Sequence, residues 1–330
     1  MKRFKIESRH SPAVYHCMSR IVRKETFDDR AKEVLRKQLW QIADYCGLHI
    51  LTYAIMSNHF HVLVRVPLKT DAVPDAELLR RHAVLHPRPS KLLATRMKLV
   101  REQLKTGGPL AAAWRKQQLG LMGDISPFMK LFKQRFSIWF NRTHERRGTL
   151  WSERFKSVLV EGRGNVLVTM AAYIDLNPVR AGAVDDPKDY RFCGYAEAVK
   201  GNKLAQTGIT SIVTDGQSNK PWRTAHDTYR MWLFGAGAKQ RAGKASITPR
   251  QLAKVMEQKG TLPLDDVLRC KVRYFTDGAV LGSQAFVAEQ LARYRRQTGL
   301  RKHIAARAMP PITDWGNITT MRGLRKDAIG

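Results

Sequence analysis

The chain has 330 residues, is 43% hydrophobic, and carries 58 Lys and Arg against 28 Asp and Glu, a net charge of +30. Such a length allows one large domain or two ordinary ones, and such a charge asks for a polyanionic partner, with nucleic acid the commonest and a membrane surface the rival. The absence of an apolar run of about 18 residues and of a signal-like amino terminus excludes a spanning or secreted protein from the expectation, which is a cytoplasmic, nucleoid-associated one with no membrane partner. Cys17, Cys46, Cys193 and Cys270 form no Cys-x-x-Cys unit, so they read as reduced thiols.

In chain order, residues 13 to 21 have strand character. Asp28 and Asp29 offer an N-cap for a helix to about Tyr45, with Leu35, Leu39, Ile42 and Cys46 as its apolar stripe. Residues 49 to 56 are rich in β-formers, and Ser57-Asn58 predicts a tight turn into a second strand, giving a hairpin. In that second strand Phe60, Val62, Val64 and Val66 alternate with His59, His61, Leu63 and Arg65. A strand repeats every two residues, so both imidazoles share one face while an apolar row packs behind them. Two adjacent histidines on a rigid sheet are able to share one divalent cation.

Residues 68 to 123 change character. They hold Pro74, Pro87, Pro89 and Gly107-Gly108-Pro109, and between Leu78 and Leu121 the only acid is Glu102. They read as a basic, mainly helical insertion, with solvated helix faces as the plain alternative. His82 and His86 are four apart, but no third ligand is spaced to complete a zinc site. Asp124 or Ser126 caps the next helix, which runs to about Thr143 with Phe128, Leu131, Phe132, Phe136 and Trp139 inside and Lys130, Lys133 and Arg135 outside. A strand follows over 157 to 161, then a helix begins at Asn165 and stops at Pro178. Residues 201 to 222 read as a linker because Gly, Asn, Ser, Thr and Gln dominate. Beyond it, helices are predicted over 248 to 259, 263 to 274 and 283 to 298, joined by short turns as in a trihelical unit with helix-turn-helix character, or as a helical lid.

Tyr173 and Asn177 are four apart on the predicted helix and so share a face. A tyrosine attacks a phosphodiester when a cation neutralises the phosphate, and an amide oxygen suits a hard or borderline cation such as Mg²⁺ or Mn²⁺. His59, His61 and Asn177 are therefore the candidate metal ligands and Tyr173 the candidate nucleophile, provided this helix crosses the histidine face. Each has a plain alternative. His-x-His is common on strands, Tyr173 could be a core aromatic, and Asn favours helix ends. Tyr190 and Tyr195 are rival tyrosines, and His16 is either an outer partner of the site or a packed histidine.

The residues Val14-Tyr15-His16-Cys17-Met18-Ser19-Arg20, Met56-Ser57-Asn58-His59-Phe60-His61-Val62-Leu63-Val64, Leu150-Trp151 with Arg154-Phe155-Lys156-Ser157, and Tyr173-Ile174 with Asn177-Pro178-Val179-Arg180-Ala181-Gly182 resemble those of single-tyrosine HUH transposases, and within them the REP-associated tyrosine transposases. The resemblance spans residues 10 to 200 apart from the insertion, and a tail with Arg273-Tyr274-Phe275 to Ser283 and Trp315-Gly316 is similar to one found on some members. It implies an α+β, ferredoxin-like domain with an antiparallel sheet over residues 1 to 200. Residues 223 to 330 then form a helical region that binds DNA or acts as a lid. It further implies that His59, His61 and Asn177 hold Mg²⁺ or Mn²⁺. Tyr173 would form a 5′-phosphotyrosine on single-stranded DNA, at hairpin-forming repetitive extragenic palindromes. The phosphate-contact candidates are Arg20, Lys133, Arg135, Arg154, Lys156 and Arg180. The protein would act as a monomer or homodimer. The alternatives are a replication or transfer nickase and a non-catalytic DNA-binding regulator.

Overall fold

A computed structural model describes residues 6, 11–22, 25–68, 73–216, 220–234, 263–269, 271–299, 305–309 and 313–321. The centre is the pattern β1 (Ala13–Arg20), α1 (Asp29–Cys46), β2 (His49–Ile55), β3 (His59–Val66), α5 (Ile125–Thr143) and β4 (Lys156–Val160). The strands lie in the order β2-β3-β1-β4, all antiparallel. This is the expected α+β, ferredoxin-like arrangement. Between β3 and α5 the basic insertion folds as α2 (Asp75–Leu85), α3 (Lys91–Thr106) and α4 (Pro109–Leu119).

Local chemistry explains these elements. The Asp28 carboxylate accepts from the Ala31 amide at 2.6 Å and starts α1, and Gly47 ends it in the left-handed region at φ 65°. Ser57 and Asn58 turn the chain, and the Met56 amide donates to the His59 carbonyl at 2.8 Å, closing the β2–β3 hairpin. Phe60, Val62, Val64 and Val66 then share one core with Leu35, Leu39, Phe132 and Phe136 of α1 and α5. Leu63 and Val14 point the other way, into a second core with α6 (Gly164–Asp175). Period two thus sends His61 to the α6 face.

Of the stretch 201–222 expected as a linker, the described residues 201–216 are mostly helical. Following α7 (Asn177–Arg180) and α8 (Gly194–Val199), they hold α9 (Lys203–Val213), with Ala205, Gly208, Ile209, Thr210 and Ile212 buried. Gly208, one of the small residues that suggest a linker, serves close packing instead. A Cβ at Gly208 would stand 2.5 Å from the Leu51 carbonyl oxygen and 2.7 Å from that of Ile50. Only glycine lets this helix approach β2 so closely.

The carboxyl-terminal region is not purely helical either. Between α11 (Leu264–Leu268), α12 (Tyr274–Asp277) and α13 (Gln284–Thr298) it supplies β5 (Val280–Gly282), which joins β4 in parallel, and then β6 (Arg307–Ala308) and β7 (Thr319–Thr320). The full sheet order is β2-β3-β1-β4-β5-β7-β6. Of the helices expected here, the one over 283–298 is present, the one over 263–274 is cut short to Leu264–Leu268 with a separate short helix starting at Tyr274, and the one over 248–259 lies outside the described residues. A trihelical unit is therefore absent among the described residues. Val280 and Leu281 are fully buried, so sheet pairing wins over the helical propensity of their neighbours.

One buried acid ties α6 to the rest. The Asp175 carboxylate accepts from Thr52 Oγ1 on β2 at 2.7 Å, from Tyr229 Oη on α10 (Trp222–Phe234) at 2.6 Å and from the Tyr195 amide at 3.3 Å. Burial nevertheless pushes its carboxyl up to about 7. The unfolded chain therefore loses this proton first, and stability falls as pH rises from the ordinary carboxylate range toward 7. Asp175→Asn removes the charge and should flatten that fall. Melting temperatures of both proteins between pH 5 and 8 check it, and parallel slopes would contradict it.

Candidate active site

The histidine strand and the tyrosine helix meet. The ring centroids of His61 and Tyr173 are 6.4 Å apart, and those of His59 and His61 are 5.1 Å apart. His61 is buried and His59 half-buried at the start of β3. Burial is the first cause that lowers both imidazoles, His59 to about 4 and His61 well below its ordinary value; neighbouring positive charge from Arg20 and Arg180 acts in the same direction. Both rings are thus neutral near pH 7, the form that binds a metal.

His16 of β1 completes a chain of rings. Its Nε2 lies 2.8 Å from His61 Nδ1, and its own Nδ1 lies 2.8 Å from the Phe275 carbonyl oxygen. Burial, with Arg180 nearby, brings His16 down to about 4, so it too is neutral. On the outer side, His59 Nδ1 is 2.7 Å from Asn58 Oδ1.

Asn177 follows from a break in the helix. Pro178 has no N–H, so it cannot continue the backbone ladder. The tyrosine helix ends at Asp175, and Asn177–Arg180 forms the separate short turn α7. The Asn177 amide nitrogen donates to the carbonyls of Tyr173 at 3.2 Å and Ile174 at 3.0 Å. Asn177 therefore finishes the helix. Because the amide turns its N–H groups onto these carbonyls, its oxygen faces away from them. Among the described residues no three His, Cys, Asp or Glu side chains gather as a metal site. Neutral imidazoles and an amide oxygen are the kinds of donor that would accept a borderline divalent cation such as Mn²⁺.

Tyr173 is 1% exposed. The Phe275 ring sits against it at 4.9 Å, and Phe275 in turn packs on Trp315 at 5.8 Å. Burial raises the Tyr173 hydroxyl above its ordinary value, and the Arg180 charge opposes this. The Arg180 guanidinium lies 4.1 Å from the Tyr173 ring centroid and donates to the carbonyls of Tyr173 and Leu268. The rival tyrosines spend their hydroxyls elsewhere. Tyr190 donates to the Ile55 carbonyl at 2.7 Å, and Tyr195 is 3.1 Å from His226 Nε2.

The basic candidates are dispersed. Arg20 and Arg154 are exposed, and Arg20 is paired across the sheet with His59. Lys156 is exposed, 3.4 Å from Glu153 and 3.5 Å from Asp277. Lys133 donates to the Glu153 carbonyl at 2.8 Å, and Arg135 to the Leu85 carbonyl at 3.1 Å; both are half-buried rather than fully outside. In the insertion, Arg80 and Arg81 pair with Glu77, Arg80 also with Asp44, and Arg115 with Asp75. His82 and His86 stand 4.6 Å apart, and His82 packs on Trp114. Sequence reasoning missed Phe275, whose carbonyl anchors His16, and the Asp175 hub. Phe275 stands in the tail that resembles the family's, but its approach to His16 spans 259 residues and no local pattern signals it.

The exposed cations on α3, Arg96, Lys98, Arg101 and Lys105, have no ion-pair partner among the described residues. Changing all four to Gln tests whether they hold phosphates, without removing Leu78, Met97, Val100 and Trp114 from the core. Such a role should weaken DNA binding and flatten the slope of log affinity against log salt by about 0.7–0.9 for each phosphate no longer neutralised. An unchanged slope would show that these side chains touch no phosphate.

The segment 10–75, which holds β1, α1, β2 and the histidine strand, matches the model of the family described as Transposase IS200 like. No curated protein matches the chain. A solved structure of a REP-associated tyrosine transposase bound to a REP hairpin aligns with 62% of this chain and 88% of its own, at 12% identity and a TM-score of 0.35. The resemblance read from the histidine strand is thus met, over residues 10–75, by the family of IS200-like transposases.

Proposed function

We propose that the protein is a metal-dependent transesterase that cuts and rejoins single-stranded DNA, with hairpin-forming repetitive extragenic palindromes as its target. The observation that carries this reading is the approach of Tyr173 to His61, 6.4 Å between ring centroids, from two elements that share no local sequence. His59, His61 and the Asn177 oxygen would hold Mg²⁺ or Mn²⁺. When bound, such a cation neutralises phosphate charge and orients the scissile bond.

The Tyr173 oxygen attacks phosphorus. A bond from phosphorus to the tyrosine oxygen forms, and the bond to the 3′-oxygen breaks. The phenol gives up its proton and the departing 3′-oxygen takes one up. The product is a 5′-phosphotyrosine and a free 3′-hydroxyl, which reverses the exchange when it, or another strand's hydroxyl, attacks. One phosphodiester replaces another, so no ATP is needed. Arg180 over the ring favours the phenolate. Arg20, Arg154 and Lys156 are the exposed cations that would position the strand. The experiment is to incubate the protein with end-labelled hairpin DNA and Mn²⁺ and look for a covalent adduct on a denaturing gel. No adduct at any metal concentration would remove the reading.

One observation favours a second reading, a DNA-binding regulator that does not cut. Tyr173 is covered by the Phe275 ring. Phe275→Ala separates the two. It keeps the backbone carbonyl and removes the cover, at a cost of about 3–5 kcal/mol in stability. A transesterase should then form adduct faster in single-turnover assays despite a lower melting temperature. A regulator should form none in either state.

A further inference from the structure

The hydrogen bond between His16 and His61 decides more than packing. A carbonyl oxygen only accepts, so His16 Nδ1, 2.8 Å from the Phe275 carbonyl, must carry the hydrogen. A neutral imidazole has one N–H, so His16 Nε2 is then a bare acceptor. Its neighbour at 2.8 Å, His61 Nδ1, must donate. His61 in turn has only one N–H, which leaves its Nε2 with a free lone pair. Three groups on three elements, the Phe275 carbonyl of α12, His16 of β1 and His61 of β3, thereby select one tautomer. The opposite tautomer would set two acceptors face to face at His16 and put a proton where a cation must bind. Both rings are buried, so water cannot take either partner's place.

We propose that His16 is a positioning residue: anchored by the Phe275 carbonyl of the carboxyl-terminal segment, it holds His61 in the tautomer whose Nε2 is free to bind a divalent cation. This rests on the metal-site reading of His59 and His61. It makes the carboxyl-terminal segment part of the metal site, through a backbone atom that no substitution of the Phe275 side chain removes. The ring of Phe275 and its carbonyl then have separate tasks, one over Tyr173 and the other beneath His16. Loss of such an outer hydrogen-bond partner lowers metal affinity about 10–100-fold.

The test uses the full chain. Long-range ¹H–¹⁵N correlation spectra of the metal-free native protein report directly which nitrogen of His61 is protonated; Nδ1–H is expected, and Nε2–H would overturn the proposal. Mn²⁺ titrations followed by electron paramagnetic resonance then compare native protein with His16→Gln, His16→Leu and His61→Ala. His16→Gln keeps an acceptor for His61 Nδ1 and should bind within about threefold of native, whereas His16→Leu should bind about 10–100-fold more weakly. A folded His16→Leu protein with native affinity and an unchanged His61 tautomer would overturn the positioning role while leaving the metal site intact. If instead His61→Ala binds Mn²⁺ as tightly as native, the metal-site reading itself fails. Should both His16 variants misfold, the native tautomer decides.

Discussion

Tyr173→Phe should bind hairpin DNA as the native protein does and form no covalent adduct. The substitution removes one oxygen and keeps the ring, with its packing against Phe275, His16, His61 and the Arg180 guanidinium. That packing holds α6 against the sheet, so the fold persists. What disappears is the only atom that would bond to phosphorus, and the rate should drop at least about a thousandfold. Tyr190→Phe and Tyr195→Phe are the controls. Their hydroxyls are engaged with Ile55 and His226, and both variants should keep the adduct. An adduct on the Tyr173→Phe protein would move the nucleophile elsewhere.

The second large effect concerns the metal ligands. His59→Ala should lower cleavage more than about a hundredfold and abolish the response to Mn²⁺, and excess chelator should do the same to native protein. His59 is the cleaner site because it is half-buried at the strand's start. His61→Ala should be as inactive, but it also leaves His16 Nε2 without its donor inside the core, a penalty of about 1–3 kcal/mol. A lower melting temperature should therefore accompany the His61 variant and not the His59 variant. Asn177→Ala should be milder in cleavage, raising the metal concentration required, since a water replaces one amide oxygen. It should still lower stability, because the Tyr173 and Ile174 carbonyls are deprived of a donor. Full cleavage by His59→Ala in the presence of chelator would end the metal reading.

The sequence shows the parts of this site that obey local rules. Alternation from His59 to Val66 places the imidazoles, Asp28 starts α1, and the Ser57-Asn58 turn closes the hairpin, all as the periodicities require. Tyr173 and Asn177 are legible as a pair, though the pair is split by Pro178 into two turns rather than carried on one helix. Long-range pairing is what the sequence hides. Nothing near Val280 announces that it will join β4 at Leu159, more than a hundred residues earlier. A glycine pressed on the Ile50 and Leu51 carbonyls has the same letter as a glycine in a flexible loop, which is why α9 reads as a linker. Lys133 and Arg135 sit on the polar side of an amphipathic helix, yet distant segments fold beside them and take their donors.

The parallel pairing of β5 on β4 sets an order of events for the growing chain. At about 5–20 residues per second, the 120 residues from Val160 to Val280 take about 6–24 s to synthesise. Throughout that interval β4 has an open edge, His16 has no carbonyl beneath it, and Tyr173 has no ring over it. A nascent chain is thus exposed to strand-to-strand association for seconds, and Tyr173 is uncovered before the proposed metal site is finished. Ribosome-bound chains stalled before residue 264 should be sticky and poor in metal binding, and those stalled after residue 321 has emerged should be neither.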